Sequence, residues 1–347
     1  MPNDERLSGG TRTGFAALRG EFLLAGVILL LAAVLGVKTD GFLSWSNLFD
    51  LLNSYAFVGI MAAGLLTVLI SGGIDISFTA TATVAQYVVA SILVRCGESM
   101  GAPFGWIAIF GAAAFTGLLL GAVNGLLVHT LRVSAMIVTI ATLNVFYGIL
   151  IFVTRGKWLY DFPKWFADGV NVWSFTQGGA TYGLSLAICA LFLVLAGTAF
   201  LLNRTTLGRK IYAMGGNPEA AKRMGFNLLG LRLFVFCYMG FLAAIGAVVQ
   251  AQVMQTVAPN SIVGRELEVL AAVVLGGASL AGGGGTLLGT MLGVALIAIL
   301  QNGLTLLGVS SYWHQIVIGC VILSSVSATA WNARTIARKG VGIDVPD

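Results

Sequence analysis

Few residues in this chain are placed to do chemistry. His129 and His314 lie far apart, with no carboxylate at ligand spacing. Cys96, Cys189, Cys237 and Cys320 are scattered, the last three inside apolar runs, in neither a metal-type spacing nor a disulfide framework. No Ser-His-Asp or Cys-His grouping stands out, and no metal site or catalytic residue is expected. A G-x-x-x-x-G-K-[ST] phosphate loop is absent, so the chain has no nucleotide-binding loop of its own. Two polar features remain. One is Asp75, placed after Gly72-Gly73 and two residues before Ser77, with long apolar runs on both sides. The other is the polar, basic stretch 203–229.

The elements that position these features are apolar. Of 347 residues, 58% are hydrophobic and 10% charged, against about 25% charged in a soluble domain. That leaves too little charge to cover a soluble core, and the bilayer is the natural solvent. With about 20 apolar residues needed per span, ten candidate spans appear: 22–37, 48–71, 77–95, 104–130, 134–154, 182–202, 230–250, 265–280, 286–304 and 311–331. The first and eighth are short, and the glycines at 276, 277 and 282–285 mark the eighth as broken or re-entrant. Residues 22–37 read as an anchor rather than a cleavable signal, because residues 1–21 are polar and no clear small-residue cleavage site follows. The expected fold is all-α and polytopic, a single membrane domain over 22–331 with tails at 1–21 and 332–347.

Charge orients the spans. With the N-terminus inside, the inner segments hold 13 of the 19 Lys and Arg residues and the outer segments 6. The excess of basic residues in inner loops places both tails and the loop 203–229 in the cytoplasm. The net charge of +5 is spread over short loops, so it marks topology rather than a nucleic-acid surface.

Within 203–229, Asn217 suits an N-cap and Pro218 the first helical position. Glu219 favours the positive end of a helix, Lys222 and Arg223 the negative end, and Gly225 a left-handed stop. A two-turn helix over 218–224 is expected, with Ala220 and Ala221 exposed. On local physics, a docking helix and a plain connector between spans are served equally. Residues 71–77 are open in the same way. Gly72 and Gly73 favour broken backbone, which is tolerated only inside protein or beside a water-filled path. That suits a gate or brace. A cap by Asp75 and Ser77 on the next helix suits the pattern too, and the two are compatible. Gly117, Gly121 and Gly125, like Gly285, Gly289 and Gly293, make four-residue stripes for close helix packing. Polar side chains expected within the membrane are Asn53, Tyr55, Gln86, Asn124, Asn144, Gln250, Asn302 and the run 312–315. Each suits interhelical hydrogen bonding or interface anchoring as well as contact with a cargo.

Four stretches, in order, resemble the permease subunits of bacterial sugar ABC importers of the ribose, xylose and arabinose type. They are LISGGIDIS from Leu69, GLLLGAVNG from Gly117, TLGRKIYAMGGNPEAA from Thr206 with Met224-Gly225-Phe226, and EVLAAVVLGGASLAGG from Glu268. The resemblance covers about residues 45–330. The chain departs from the usual pattern at Ser77-Phe78-Thr79 and at 134–139. The resemblance implies a type II importer-like permease fold with two related halves, which the echo of Ser71-Gly-Gly in Leu275-Gly-Gly also hints at. It implies translocation of a monosaccharide or similar polyol across the inner membrane by alternating access, with no catalysis by this chain. ATP would be used by separate ATPase subunits, a periplasmic binding protein would deliver the cargo, and a second permease copy, identical or paralogous, would complete the path. The resemblance assigns coupling to the ATPase to Thr206, Gly208, Arg209, Ala213, Gly215, Gly216, Asn217, Ala220, Ala221 and Gly225. The translocation path or gate is expected at Gly72, Gly73, Asp75, Ser77, Asn124, Gly276, Gly277, Ser279 and Asn302. Autoinducer-2, nucleoside and branched-chain amino-acid permeases share much of this pattern. An ion-coupled secondary transporter is the reading from another class, and it would need a proton relay that the sequence does not display.

Overall fold

The computed structural model describes residues 9–177, 180–310, 312–321, 323 and 327. The expected tail 332–347 and most of 324–331 lie outside the described residues, as do residues 1–8. Among the described residues, eight helices are long and apolar enough to cross a membrane. They are α1 (Gly9–Lys38), α2 (Trp45–Ile70), α3 (Phe78–Met100), α4 (Ala102–Thr130), α5 (Ala135–Thr154), α7 (Leu186–Arg204), α10 (Leu228–Met254) and α12 (Leu287–Leu306). Each matches an expected span within a few residues, apart from the longer N-terminal extension of α1.

The remaining two expected spans differ from these. Residues 265–280 yield only α11 (Glu266–Leu275), about 15 Å long, followed by a non-helical run to Thr286. Half a membrane thickness of helix ends where Gly276 and Gly277 begin, as the glycines suggest. The tenth is helical over 312–321.

Helix α2 is the axis of the bundle, with every residue from Ala56 to Ile70 buried. A helix apolar all round is what burial on all sides requires. It packs against α10, α7, α11 and α12, and α10 in turn packs against α4 and α3. Both glycine stripes are packing surfaces. A Cβ on Gly117 would stand 2.2 Å from the Gly240 carbonyl of α10, and one on Gly293 would stand 1.9 Å from the Ala272 carbonyl of α11. These distances admit no side chain, so the paired helices touch backbone to backbone.

The outer loop is more ordered than a connector, and the chain is not purely helical. Two strands, β1 (Asn171–Gln177) and β2 (Ala180–Ser185), pair antiparallel, with a bulge between Asn171 and Trp173. The expected span 182–202 therefore starts late, at Leu186. Ahead of the hairpin, α6 (Lys164–Ala167) lays Trp165 and Phe166 against Trp106 of α4, with ring centroids 5.5 and 5.3 Å apart. Trp165 Nε1 donates to the Gly97 carbonyl at 2.9 Å. At the opposite end of the bundle lie two short helices, α8 (Thr206–Gly216) and α9 (Pro218–Arg223).

Candidate functional site

Helices α8 and α9 are each started by a side chain. Thr205 Oγ1 accepts from the Gly208 amide and Asn217 Oδ1 from the Ala220 amide, both at 3.0 Å. Helix α9 stops as expected: Gly225 has φ +80, and the Phe226 amide reaches back to the Ala221 carbonyl at 3.1 Å. Lys210 Nζ lies 5.7 Å from the centre of the Phe226 ring, tying α8 to the segment after α9. Helix α8 was missing from the sequence expectation. It is amphipathic, with Ile211 and Met214 buried and Arg209 and Lys210 exposed.

This arrangement divides the ten candidate coupling residues. Thr206, Arg209, Ala213, Gly216, Asn217, Ala220 and Gly225 are exposed, whereas Gly208, Gly215 and Ala221 are buried. The expectation that Ala221 is exposed is wrong: it is 1% exposed and faces the bundle while Ala220 faces out. Consecutive helical positions point about 100° apart, and in α9 that turns Ala221 toward the bundle while its neighbours Ala220 and Lys222 face out.

Gly215 is where this surface unit meets the membrane core. A Cβ there would stand 1.7 Å from the Ile70 carbonyl at the end of α2. The same carbonyl accepts from the Gly283 amide at 2.9 Å. A Cβ on Gly282 would stand 2.7 Å from Gly72 Cα and from the Gly215 carbonyl. Tyr212 Oη donates to the Gly285 carbonyl at 2.8 Å, and burial raises the pKa of its phenol. Three segments thus converge, the end of α2, the end of α8 and the run 276–286, through glycine backbones. Gly72 and Gly282 have φ +83 and +91, a region open to glycine. Beside the junction lies a cleft of about 410 Å³ lined in part by Gly72, Gly73, Arg132, Pro218 and Arg232.

Asp75 is 3% exposed. Its Oδ1 accepts from the Ser77 amide at 2.8 Å and from Ser77 Oγ at 2.6 Å. Asn124 Nδ2 of α4 donates to Ser77 Oγ at 2.6 Å. Thr139 Oγ1 of α5 accepts from the Ile76 amide at 3.1 Å and donates to the Ile74 carbonyl at 3.2 Å. The carboxylate organises the turn into α3, while Ser77 itself makes no capping bond and ties the turn to α4. In the second break, Gly276 packs on the Gly289 carbonyl, Gly277 has φ +87, and the Ser279 amide donates to the Gly284 carbonyl at 3.0 Å.

Asn302 does not join this group. It pairs with Asn47 at the hairpin end of the bundle, at 2.8 and 3.1 Å. Of the other polar candidates, Asn53 bonds Ser185, Gln86 bonds Gln250, and Asn144 donates to the Ile140 carbonyl one turn back. Tyr312 and Trp313 are exposed. Sequence reasoning missed Glu266 and Glu268 and put Arg265 in an outer loop. Glu268 accepts from Gln301 Nε2 at 3.1 Å, Gln301 Oε1 accepts from Tyr55 Oη at 2.8 Å, and Glu266 accepts from Thr79 Oγ1. The spacing of two carboxylates at the mouth of a broken span was the available signal. Among the described residues, no group of three or more His, Cys, Asp or Glu could hold a metal ion.

The family described as "Branched-chain amino acid transport system / permease component" matches residues 47–326. The chain is 32% identical over 299 residues to the ribose import permease protein RbsC of Escherichia coli K12, covering 86% of this chain and 90% of that one. It is 34% identical over 309 residues to the ribose import permease protein RbsC of Bacillus subtilis 168, covering 86% and 89%. It is also 31% identical over 304 residues to the autoinducer 2 import system permease protein LsrC of Yersinia pestis Pestoides F, covering 88% and 82%. No solved structure matches the chain.

Proposed function

We propose that this chain, which belongs to the family of permease components of branched-chain amino acid transport systems, is the membrane-spanning subunit of an ATP-binding-cassette importer for a sugar. The match runs from α2 to residue 326, and the similar permeases import ribose or autoinducer 2. The chain works as a conduit rather than an enzyme. It sits in the bacterial inner membrane with both termini and α8–α9 on the cytoplasmic side, the side favoured by the count of basic residues.

The observation that carries the mechanism is the seating of Gly215 on the Ile70 carbonyl. The exposed residues of α8 and α9 form the dock for a separate ATPase subunit, and the buried ones seat the dock on the core. With no side chain between the two backbones, a displacement of α8 is delivered to the end of α2 and, through Gly282 and Gly283, to the run 276–286. Gly72, Gly73, Gly276, Gly277 and Ser279 belong to the moving gate. Asp75, Ser77 and Asn124 brace it against α4. A periplasmic binding protein delivers the cargo at the hairpin end, and a second permease copy closes the path, since α5 shows a largely exposed apolar face.

The test is uptake into proteoliposomes holding the chain with its ATPase and binding protein. ATP-dependent D-ribose uptake that requires all components is expected. Uptake by vesicles holding this chain alone, driven by an ion gradient, would contradict the reading.

A further inference from the structure

Three consecutive-range charges lie where a membrane protein can least carry them idle. Arg265, Glu266 and Glu268 open α11, and their partners place them deep in the bundle. Tyr55 and Phe57 are ten and twelve residues into α2, about 15–18 Å from its hairpin end. The Arg265 guanidinium lies 5.2 Å from the centre of the Phe57 ring. An ionised side chain at such depth costs about 2.5–3.5 kcal/mol against lipid, so the group faces water. It is not neutralised internally: among the described residues, no ion pair joins Arg265 to either carboxylate. Arg265, Glu266, Glu268, Tyr55 and Gln301 are all partly exposed. The Arg265 side chain makes no hydrogen bond among the described residues, and the Glu268 carboxylate uses one oxygen, to Gln301.

We infer that this face of α2, α11 and α12 is the cargo-contacting surface of the outer half of the path, and that it takes a neutral, hydroxyl-rich cargo. The chemistry selects the class. The free carboxylate oxygens accept from hydroxyls, the guanidinium donates to them, and the partly exposed Tyr55 ring supplies an apolar flank. An aliphatic amino-acid side chain at the same place would strip water from two carboxylates and give no hydrogen bond in return. The surface is one wall, and the same wall of a second copy completes the passage. This inference rests on the sugar-importer reading.

The test uses the complete importer in proteoliposomes, with D-ribose and leucine as probes. In E268A, D-ribose uptake falls roughly ten- to hundredfold, the loss expected for a hydrogen bond to a charged group. Subunit co-purification stays at the wild-type level. E268Q, which keeps an acceptor, recovers part of the uptake. Retained uptake in E268A, or a loss that tracks loss of assembly, overturns the cargo role while leaving the sugar reading intact. A wild-type importer that carries leucine and no sugar overturns both. Independently, E268C in a background without the four native cysteines should react with a membrane-impermeant thiol reagent added from the binding-protein side; absence of reaction overturns the inference whatever the cargo.

Discussion

The two glycine-marked breaks in the bundle look alike in sequence and are built differently. In residues 71–77 a buried carboxylate, two hydroxyls and a carboxamide lace the turn to α4 and α5. In residues 276–286 the ties to the rest of the bundle are made at carbonyls, Gly283 to Ile70 and Tyr212 to Gly285, with Thr286 bonded to Glu21. Side-chain networks over-determine a conformation, while glycine backbone with left-handed φ can take more than one. On the proposed function, the laced part of the first break, Asp75 to Ser77, is the brace and the second break is the hinge, and α8 meets both breaks through Gly215. An ATPase subunit docked on α8, as proposed, would work one segment against the other.

The largest effect expected on this contrast comes from Gly215→Ala. Its Cβ would collide with two backbones, so it should unseat α8 and abolish both transport and ATPase co-purification. Gly216→Ala next to it, with open space at the Cβ, should keep both. Overpacking of this kind costs about 1–3 kcal/mol, readable as a fall in melting temperature of the purified chain. Next comes Asp75→Ala, which leaves the Ser77 amide and hydroxyl without their acceptor. A loss of about 1–3 kcal/mol is expected, with Asp75→Asn smaller, measured by thermal unfolding in detergent. If Asp75→Ala lowers transport without lowering stability, the brace is instead part of the moving gate. Ser279→Ala in the hinge should cost under about 0.5 kcal/mol, well below Ser77→Ala in the brace; equal costs would erase the distinction. The smallest effect is expected from Arg209→Ala on the exposed face of α8. It should weaken ATPase co-purification modestly, by a salt-dependent amount near that of one surface charge pair.

What could be read from sequence was local. Asn217, Pro218 and Gly225 encode α9 within nine residues, and the helix appears with its cap and stop in place. The glycine stripes announced close packing because a four-residue spacing keeps one face of a helix smooth. The partners of those stripes were not readable, since Gly117 meets Gly240 across 123 positions. Helix α8 escaped notice because Gly215-Gly216 argues against helix on propensity, and only the Ile70 carbonyl explains why glycine is required there. The sequence reading leaves β1 and the start of β2 in the loop 155–181 and takes only 182–185 into the span 182–202, since the second strand adjoins a hydrophobic helix. Glu266 and Glu268 fall inside the expected span 265–280 and carry no role there, because hydropathy weighs the span as a whole. Their real position depends on Tyr55 and Gln301, 246 residues apart. Asn302, grouped with the gate by residue type alone, lies at the other end of the bundle.

The dock on α8 and α9 is most directly tested by crosslinking. Ala220→Cys in a cysteine-free chain, in membranes containing the whole importer, should join to the ATPase subunit through a short thiol-reactive linker. Tyr160→Cys at the hairpin end should not. A crosslink that forms at Ala220 and changes in yield on adding ATP is the predicted result. Absence of any crosslink at Ala220, with an intact importer that still transports, would contradict the account.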